Sequence, residues 1–328
     1  MSMTIGISIG DPNGIGPEVV LKTFTDLEML TVCTPIVYAN FDFLKQQAAH
    51  FDLQLPTERM HDQPKQGVLN VEDCWTESFQ PQYGEVDVKP GELSVMSLVA
   101  ATADLQKGNI NALVTAPIHK AAIQSEDFRF PGHTDYLAQV FDGDALMFLV
   151  HPGLRVALVT DHVAVKDIAR HITTDRVAQK LNAVAHSLQQ DFGIPNPRIA
   201  VLGLNPHAGD EGVIGEEEVN LLEPLLQTHQ IDKTEISGPF SADAFFGSQS
   251  YKNYDAILAM YHDQGLIPFK TLSFGEGVNF TAGLSAVRTS PDHGTAFGIA
   301  GTGQANPQSF RQAVRTAIEV VKRRNISF

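Results

Sequence analysis

A chain of 328 residues, 43% hydrophobic and 19% charged, has the make-up of a folded globular protein and is long enough to fill more than one core. Its net charge of −15 argues against nucleic acid and against anionic membrane surfaces as partners. No apolar run approaches the ~20 residues of a membrane-spanning helix, and the first residues lack the layout of a secretion signal. Cys33 and Cys74 form neither a disulfide framework nor a metal motif, so a reduced, cytoplasmic setting is expected.

Thr4 to Ile9 reads as a buried first strand. It empties into Gly10-Asp11-Pro12-Asn13-Gly14-Ile15-Gly16-Pro17-Glu18, a glycine-rich strand-to-helix loop that is neither the dinucleotide fingerprint nor a P-loop. Pro17 suits the first turn of a helix running to Phe24. A short strand follows at 35–39, a helix at 41–50, and a polar stretch from Leu53 to Pro90 that reads as irregular or short-stranded. Leu93, Met96, Leu98, Val99 and Leu105 recur at helical spacing and predict a helix over 92–107, stopped by Gly108. Ala112 to Thr115 is the next strand, and it runs into Ala116-Pro117-Ile118-His119-Lys120.

Gly132-His133-Thr134-Asp135 precedes a predicted helix over 136–141 with Thr134 at its cap. A helix N-terminus carrying His and Thr serves equally as a plain cap or as an anion site. Two strands joined by His151-Pro152-Gly153 form a hairpin ending in Thr160-Asp161-His162. A helix from Thr174 to Phe192 stops at Gly193, and a strand over 198–204 leads into Asn205-Pro206-His207-Ala208-Gly209-Asp210. A helix spans 216–228. The buried run Ala256 to Met260 ends in Tyr261-His262-Asp263-Gln264-Gly265-Leu266-Ile267-Pro268-Phe269-Lys270, where Gly265 is expected to turn the backbone and Pro268 to end the ladder. A strand over 280–288, a glycine-rich loop from His293 to Pro307 and a basic-ended helix over 309–324 complete the chain.

His162, His207 and His262 share one context, each just past an apolar strand-like run. Any one alone reads as well as a hydrogen-bonded core or surface residue. Three imidazoles together suit Zn²⁺, Co²⁺ or Fe²⁺ and leave coordination positions open for a substrate hydroxyl or carbonyl. Lys270, Asn279 and Arg288 are separately commonplace; joined with His133 and Thr134 they would hold a phosphorylated, carboxylated small molecule.

The motifs at 10–18, 115–120 (Thr-Ala-Pro-Ile-His-Lys), 132–135 (Gly-His-Thr-Asp), 204–209 (Leu-Asn-Pro-His-Ala-Gly) and 261–270 occur in order across nearly the whole chain, and together the sequence resembles the 4-hydroxythreonine-4-phosphate dehydrogenase family. The resemblance implies two α/β/α domains with a cleft between them, akin to isocitrate and isopropylmalate dehydrogenases, in a homodimer whose active site lies at the subunit interface. It implies metal ligands at His162, His207 and His262, one divalent Zn, Mg or Co ion per subunit, and substrate contacts at His133, Thr134, Lys270, Asn279 and Arg288. It implies NAD or NADP held by the 293–307 loop through His293, Gly294, Thr295 and Asn306, with Phe297-Gly298 standing where Pro-Asp is usual in isopropylmalate dehydrogenases. Asp161 stands where a Thr is usual in close relatives.

The implied reaction is oxidation of 4-phosphooxy-L-threonine with loss of CO₂, giving 3-amino-2-oxopropyl phosphate for pyridoxal 5'-phosphate synthesis. Relatives acting on erythronate or threonate 4-phosphate, or on a cis-dihydrodiol, share the same motifs, and a non-catalytic metabolite binder is the reading from another class. By analogy with the related dehydrogenases, residues 1–133 with 280–328 are expected to form one domain, carrying the cofactor loop. Residues 134–279 are expected to form the other, carrying the metal ligands and dimer contacts.

Overall fold

The computed structural model describes residues 3–126, 128–141 and 143–326. It divides into two compact units, Met1–Ala145 with Leu284–Val321, and Leu146–Gly283 with Lys322–Phe328.

In chain order the first unit opens with β1 (Thr4–Ser8), α1 (Gly16–Phe24), α2 (Met29–Val32), β2 (Thr34–Ala39) and α3 (Phe41–His50). β3 (Thr57–Arg59), β4 (Leu69–Asp73), α4 (Val88–Lys107), β5 (Ala112–Thr115) and α5 (His133–Phe141) follow. The second unit contributes β6 (Leu146–His151), β7 (Leu154–Leu158), α6 (Ile168–His171), α7 (Thr174–Gln190), β8 (Arg198–Leu202), α8 (Glu223–Thr228) and β9 (Glu235–Phe240). It continues with α9 (Ala242–Gly247), β10 (Ala256–Ala259), α10 (His262–Ser273) and β11 (Val278–Ala282), after which β12 (Arg288–Pro291) and α11 (Gln308–Ile326) close the chain.

The first unit's strands lie in the order β3-β4-β2-β1-β5-β12, and each neighbouring pair is parallel. Parallel strands are covered on both faces and therefore apolar throughout; β2 and β5 are buried at every position. Ile36, Tyr38, Leu98, Leu113, Phe128 and Leu137 meet in one buried cluster here. In the second unit the order is β11-β6-β7-β10-β8-β9. The β6–β7 hairpin and the β11–β6 pair are antiparallel, whereas β7, β10, β8 and β9 run parallel. Its core joins Val156, Leu158, Ile257, Phe245, Leu266 and Phe269.

Local chemistry accounts for most element ends. Pro17 sits at the start of α1 and Gly108 closes α4 in the left-handed region, φ 75. α4 starts earlier than its apolar spacing predicts, because the Asp87 side chain accepts from Val88 N and caps it there. α5 starts at His133, so Thr134 lies inside the first turn and not at the cap. The predicted strand over 280–288 is two strands, parted by Gly283 at φ 81. The predicted helix over 216–228 begins as a π-turn at Glu218–Leu222 before α8.

The largest departure is at 261–270, where the chain forms α10 instead of a turn. Gly265 is not there for a turn. A Cβ on it would lie 2.8 Å from side-chain atoms of Leu158 and Val156, so glycine lets the helix lie flat on the sheet. Pro268 is carried within the helix, whose Phe269 and Leu266 are buried in the second core.

Glycine has a similar task at Gly91 in α4, where an added Cβ would collide with the backbone carbonyl of Ala122. Gly91→Ala is expected to destabilise the protein by about 1–3 kcal/mol. Gly247→Ala, with no atom within 4 Å of the added Cβ, should be neutral or stabilise by roughly 0.4–1 kcal/mol. Thermal unfolding of the two variants side by side checks the contrast.

Candidate active site

β1, β5 and β12 are parallel neighbours, so the loops that follow them leave the sheet along one edge. The C-terminal edge of a parallel sheet is where such folds place their ligands. The loops interlock. Asp11 N donates to Pro117 O at 2.9 Å, and Gly10, at φ 73, leaves no room for a Cβ against the backbone of Ala116 and Pro117. Ile15 N donates to Thr295 O at 3.0 Å, which ties the first loop to the glycine-rich 293–307 segment.

That segment is held along its length. The buried Glu18 carboxylate accepts from Ala305 N at 2.8 Å and from Lys22 Nζ at 2.7 Å. Lys22 Nζ donates onward to the carbonyls of Gly303 and Ala305, at 2.7 and 2.9 Å. His50, stacked on Tyr83, contacts the carbonyl of Gly301 through Nε2 at 2.9 Å. Of the residues expected to hold a dinucleotide, Asn306 accepts from Gln308 N at the start of α11, and His293 Nδ1 lies 3.1 Å from the carbonyl of Gly294. Thr295 offers its carbonyl to Ile15, and space beside Gly294 is open.

Beside these loops stands a cationic group. Arg288, 3% exposed, lies at the start of β12 and donates through Nε and Nη2 to Thr115 Oγ1 on the adjacent β5, at 3.2 and 2.7 Å. Burial pushes its guanidinium down to about 10, so it stays charged at neutral pH. His133 is half-buried as a residue, but its Nε2 is fully enclosed and has no hydrogen-bond partner. Its imidazole is held well below the ordinary histidine range, first by burial and then by the nearby charges of Arg288 and Lys120. The Lys120 stem lies across Gly132, 3.8 Å from where a Cβ would be. A neutral imidazole with an unpaired nitrogen beside two cations is suited to an anion that brings its own hydrogen-bonding oxygens. Thr134 follows in the first turn of α5.

The other expected substrate contacts belong to the second unit. Lys270 is exposed on α10, and Asn279 is half-buried on β11 opposite Leu149. His162 and His262 also lie in the second unit, with ring centroids 6.2 Å apart. His262 Nδ1 is hydrogen-bonded to Asp263 at 2.7 Å, which leaves Nε2 as its ligating nitrogen, while the Asp161 carboxylate stands 3.6 Å from His162 Nδ1. Burial alone would raise the Asp161 carboxyl, but hydrogen bonding from and attraction to His162 lower it.

His207 sits on a run from His207 to Glu211 that is left-handed at every residue. Such a run costs about 1–2 kcal/mol per non-glycine residue. The fully buried Glu218 holds it, accepting from Asn205 N at 2.8 Å and Asn205 Nδ2 at 2.9 Å. Asp243 lies near His207; its carboxyl is lowered chiefly by the Ser241 hydroxyl. Among the described residues no three ligating side chains of one chain converge on a point. The structure brings His162 and His262 together. Burial pushes both thiols up to about 12, which leaves neither cysteine a ready nucleophile.

Sequence reasoning assigned no role to Thr115, Lys120, Glu18 or Lys22. The first two stand in a quoted motif at a strand end, a position that marks ligand contacts. The Glu18–Lys22 pair at i,i+4 looks like an ordinary helix ion pair until the distant loop is seen on it.

The chain matches the family model described as "Pyridoxal phosphate biosynthetic protein PdxA" over residues 31–317. It is 45% identical to a 4-hydroxythreonine-4-phosphate dehydrogenase of Bacteroides thetaiotaomicron, over 98% of this chain and 89% of that one. A crystal structure of 4-hydroxythreonine-4-phosphate dehydrogenase from Klebsiella pneumoniae superposes with a TM-score of 0.83 at 32% identity, covering 98% of each chain. A terephthalate 1,2-cis-dihydrodiol dehydrogenase from Burkholderia xenovorans superposes at 0.64 and 26% identity, covering 97% of this chain and 98% of that one.

Two outcomes follow from this geometry. Unfolding returns His133 to an ordinary pKa of about 6.5. Below that pH the unfolded chain binds a proton that the folded chain does not, so folding stability falls as pH drops and is fully present above it. His133→Gln should flatten the stability profile between about pH 7 and 5, read by chemical denaturation at each pH. Lys22→Met removes the donor to Gly303 and Ala305 carbonyls. It should speed amide exchange across 301–305 by about tenfold or more, the loss of a hydrogen bond from a charged group, while exchange in β8 stays unchanged.

Proposed function

Because the chain belongs to the family of the pyridoxal phosphate biosynthetic protein PdxA, whose curated members are named as dehydrogenases, we propose that this oxidoreductase catalyses NAD(P)-dependent oxidation of 4-phosphooxy-L-threonine. The β-keto acid so formed loses CO₂ to give 3-amino-2-oxopropyl phosphate, on the route to pyridoxal 5'-phosphate. The observation that carries the reading is the buried Arg288 with the neutral His133 beside it and the exposed Lys120 close by, within a chain similar to a named member over 98% of its length.

Arg288, already oriented by Thr115, presents a rigid fork to an oxyanion, and Lys120 adds a point charge. His133 Nε2 and the first turn of α5, with Thr134, supply further partners for the same anion. Lys270 and Asn279 are proposed as the remaining substrate contacts. Binding energy gathered at the phosphate orients the reacting carbon without itself taking part in the chemistry. The pinned 293–307 loop is proposed to hold the dinucleotide through His293, Gly294, Thr295 and Asn306, so that its shape is set before the cofactor arrives.

A divalent metal ion fits the donors His162 and His262, of which His262 has its tautomer fixed by Asp263, and His207 is proposed as the third ligand. When bound, the ion supplies Lewis acidity toward the substrate oxygen. A homodimer with the site completed at the subunit interface is proposed from the family resemblance. The chain is proposed to act in the cytoplasm. Among the described residues no helix is long and apolar enough to cross a membrane.

A second reading within the family is a dehydrogenase of erythronate or threonate 4-phosphate; it keeps the anion site and drops the amino group. The likeness to a cis-dihydrodiol dehydrogenase supports substrate variation on this scaffold.

NAD(P)H formation is to be followed with 4-phosphooxy-L-threonine beside D-erythronate 4-phosphate, before and after chelation. Turnover of the amino acid alone, abolished by chelator and restored by Zn²⁺, Co²⁺ or Mg²⁺, is expected. Turnover of the sugar acid alone selects the second reading, and chelator-resistant turnover removes the metal from the proposal.

A further inference from the structure

Where the parallel ladder of β8 and β10 stops, one side chain continues it. The two strands pair Leu258 with Val201, a register that sets Met260 against Gly203 two residues further on. Between those two residues lies the Gln264 carboxamide. Met260 N donates to Gln264 Oε1 at 2.7 Å, and Gln264 Nε2 donates to the Gly203 carbonyl at 2.6 Å. A carboxamide accepts on one side and donates on the other, as a peptide unit does, so it bridges two strands just past the end of their pairing. On its other flank Met260 is tied to the end of β7. Its carbonyl accepts from Thr160 N at 3.1 Å and from Thr160 Oγ1 at 2.7 Å, and Thr160 is 2% exposed.

Each tied residue stands just ahead of a histidine. His162 follows Thr160 by two residues, His262 follows Met260 by two, and His207 follows Gly203 by four. Gly203 also lies against the left-handed run that bears His207, since a Cβ on it would be 3.0 Å from Ala208 Cα. Helix capping alone does not account for Gln264. It is the third residue of α10, from which a glutamine reaches back to an N–H ahead of the helix, and the bond to Met260 N is of that kind. The bond to Gly203 O, 61 residues away, caps nothing.

We propose that Gln264 and Thr160 are positioning residues for the metal-binding histidines: they clasp the ends of β7, β10 and β8 through Met260, and so fix where His162, His262 and His207 leave the sheet. The inference rests on the reading that these histidines hold a divalent ion. Neither side chain is a ligand; each acts through the backbone that leads to one. Donors must be held within about 0.5 Å of the productive geometry, and supporting partners around metal ligands are worth about 10–100-fold in metal affinity.

Co²⁺ is the probe, titrated into the full-length, metal-free protein, with its visible absorption reporting both the dissociation constant and the coordination geometry. Gln264→Met keeps the length of the side chain and removes both hydrogen bonds. It should weaken Co²⁺ binding about tenfold or more and change the absorption band. Thr160→Val removes the hydroxyl and keeps the shape, and should weaken Co²⁺ in the same direction; Thr160→Ser keeps the hydroxyl and should bind as the wild type does. Ser187→Ala supplies the structural comparison, because it removes a buried hydrogen bond of 2.7 Å to Asp191 in the same unit. It should lower the melting temperature and leave Co²⁺ binding unchanged, since a small rise in the unfolded fraction does not alter the affinity of the folded molecules. An unchanged Co²⁺ constant and band in Gln264→Met overturn the inference. So does equal weakening in Thr160→Val and Thr160→Ser, which would trace the loss to packing and not to the hydroxyl. If Gln264→Met does not fold, the Thr160 pair decides, and an unchanged Thr160→Val then overturns it. A wild type that binds no Co²⁺ overturns the metal reading itself, a result distinct from the others.

Discussion

The close approach of Gly10 to the Pro117 carbonyl is the contact on which the first unit's edge depends. Two parallel strands, β1 and β5, lie side by side, and the loops that leave them can touch only if one has no side chain. Once they touch, Asp11 N finds Pro117 O, and Asp11 itself is carried into the interior. The third parallel neighbour, β12, brings Arg288 to Thr115 and sends the 293–307 segment back across the same loops. Arg288 and the pinned 293–307 segment thus share one sheet edge because three strands run the same way.

Buried carboxylates do the corresponding positioning. Glu18 and Glu218 are both fully buried, and each organises a segment distant in sequence from its own helical turn. Glu18 binds the backbone at Ala305, together with Lys22. Glu218 binds Asn205 and stands against Gly209, opposing the strain of the left-handed run that bears His207. Isolated charges would be expelled from such places; Glu218 is held by the backbone N–H and amide of Asn205, and Glu18 by Ala305 N and the Lys22 ammonium at Oε1. Strained or over-determined backbone of this kind is characteristic of functional segments.

What was legible in the sequence was whatever local pattern decides. Apolar runs found most of the strands, Pro17 and Gly108 marked helix ends, and the His151-Pro152-Gly153 hairpin followed from two apolar runs around a turn. The motifs that carry the family resemblance contain His119, Lys120, His133, His207, His262 and Lys270. The stretch at 261–270 was misread because Gly and Pro are turn residues by local preference. In the folded chain packing outweighs that preference: a helix bearing Gly265 can press on Val156 and Leu158, and burial of Leu266 and Phe269 rewards it. Thr134 was misread as a cap for a similar reason, since the helix extends back to His133.

By itself the sequence determined the family, through its ordered motifs, and the inventory of chemical groups, and the spacing of its apolar runs gave most strands and helices. Only the tertiary structure decided which groups meet. It paired Arg288 with Thr115 across 173 residues and Glu18 with Ala305 across 287, and it set His119 on Phe297. It also brought His162 and His262 to within 6.2 Å, ring centre to ring centre. Such long-range juxtapositions depend on strand order and on the direction each strand takes through the sheet. Neither is written in any local stretch of residues, and both are set by the packing of the whole core.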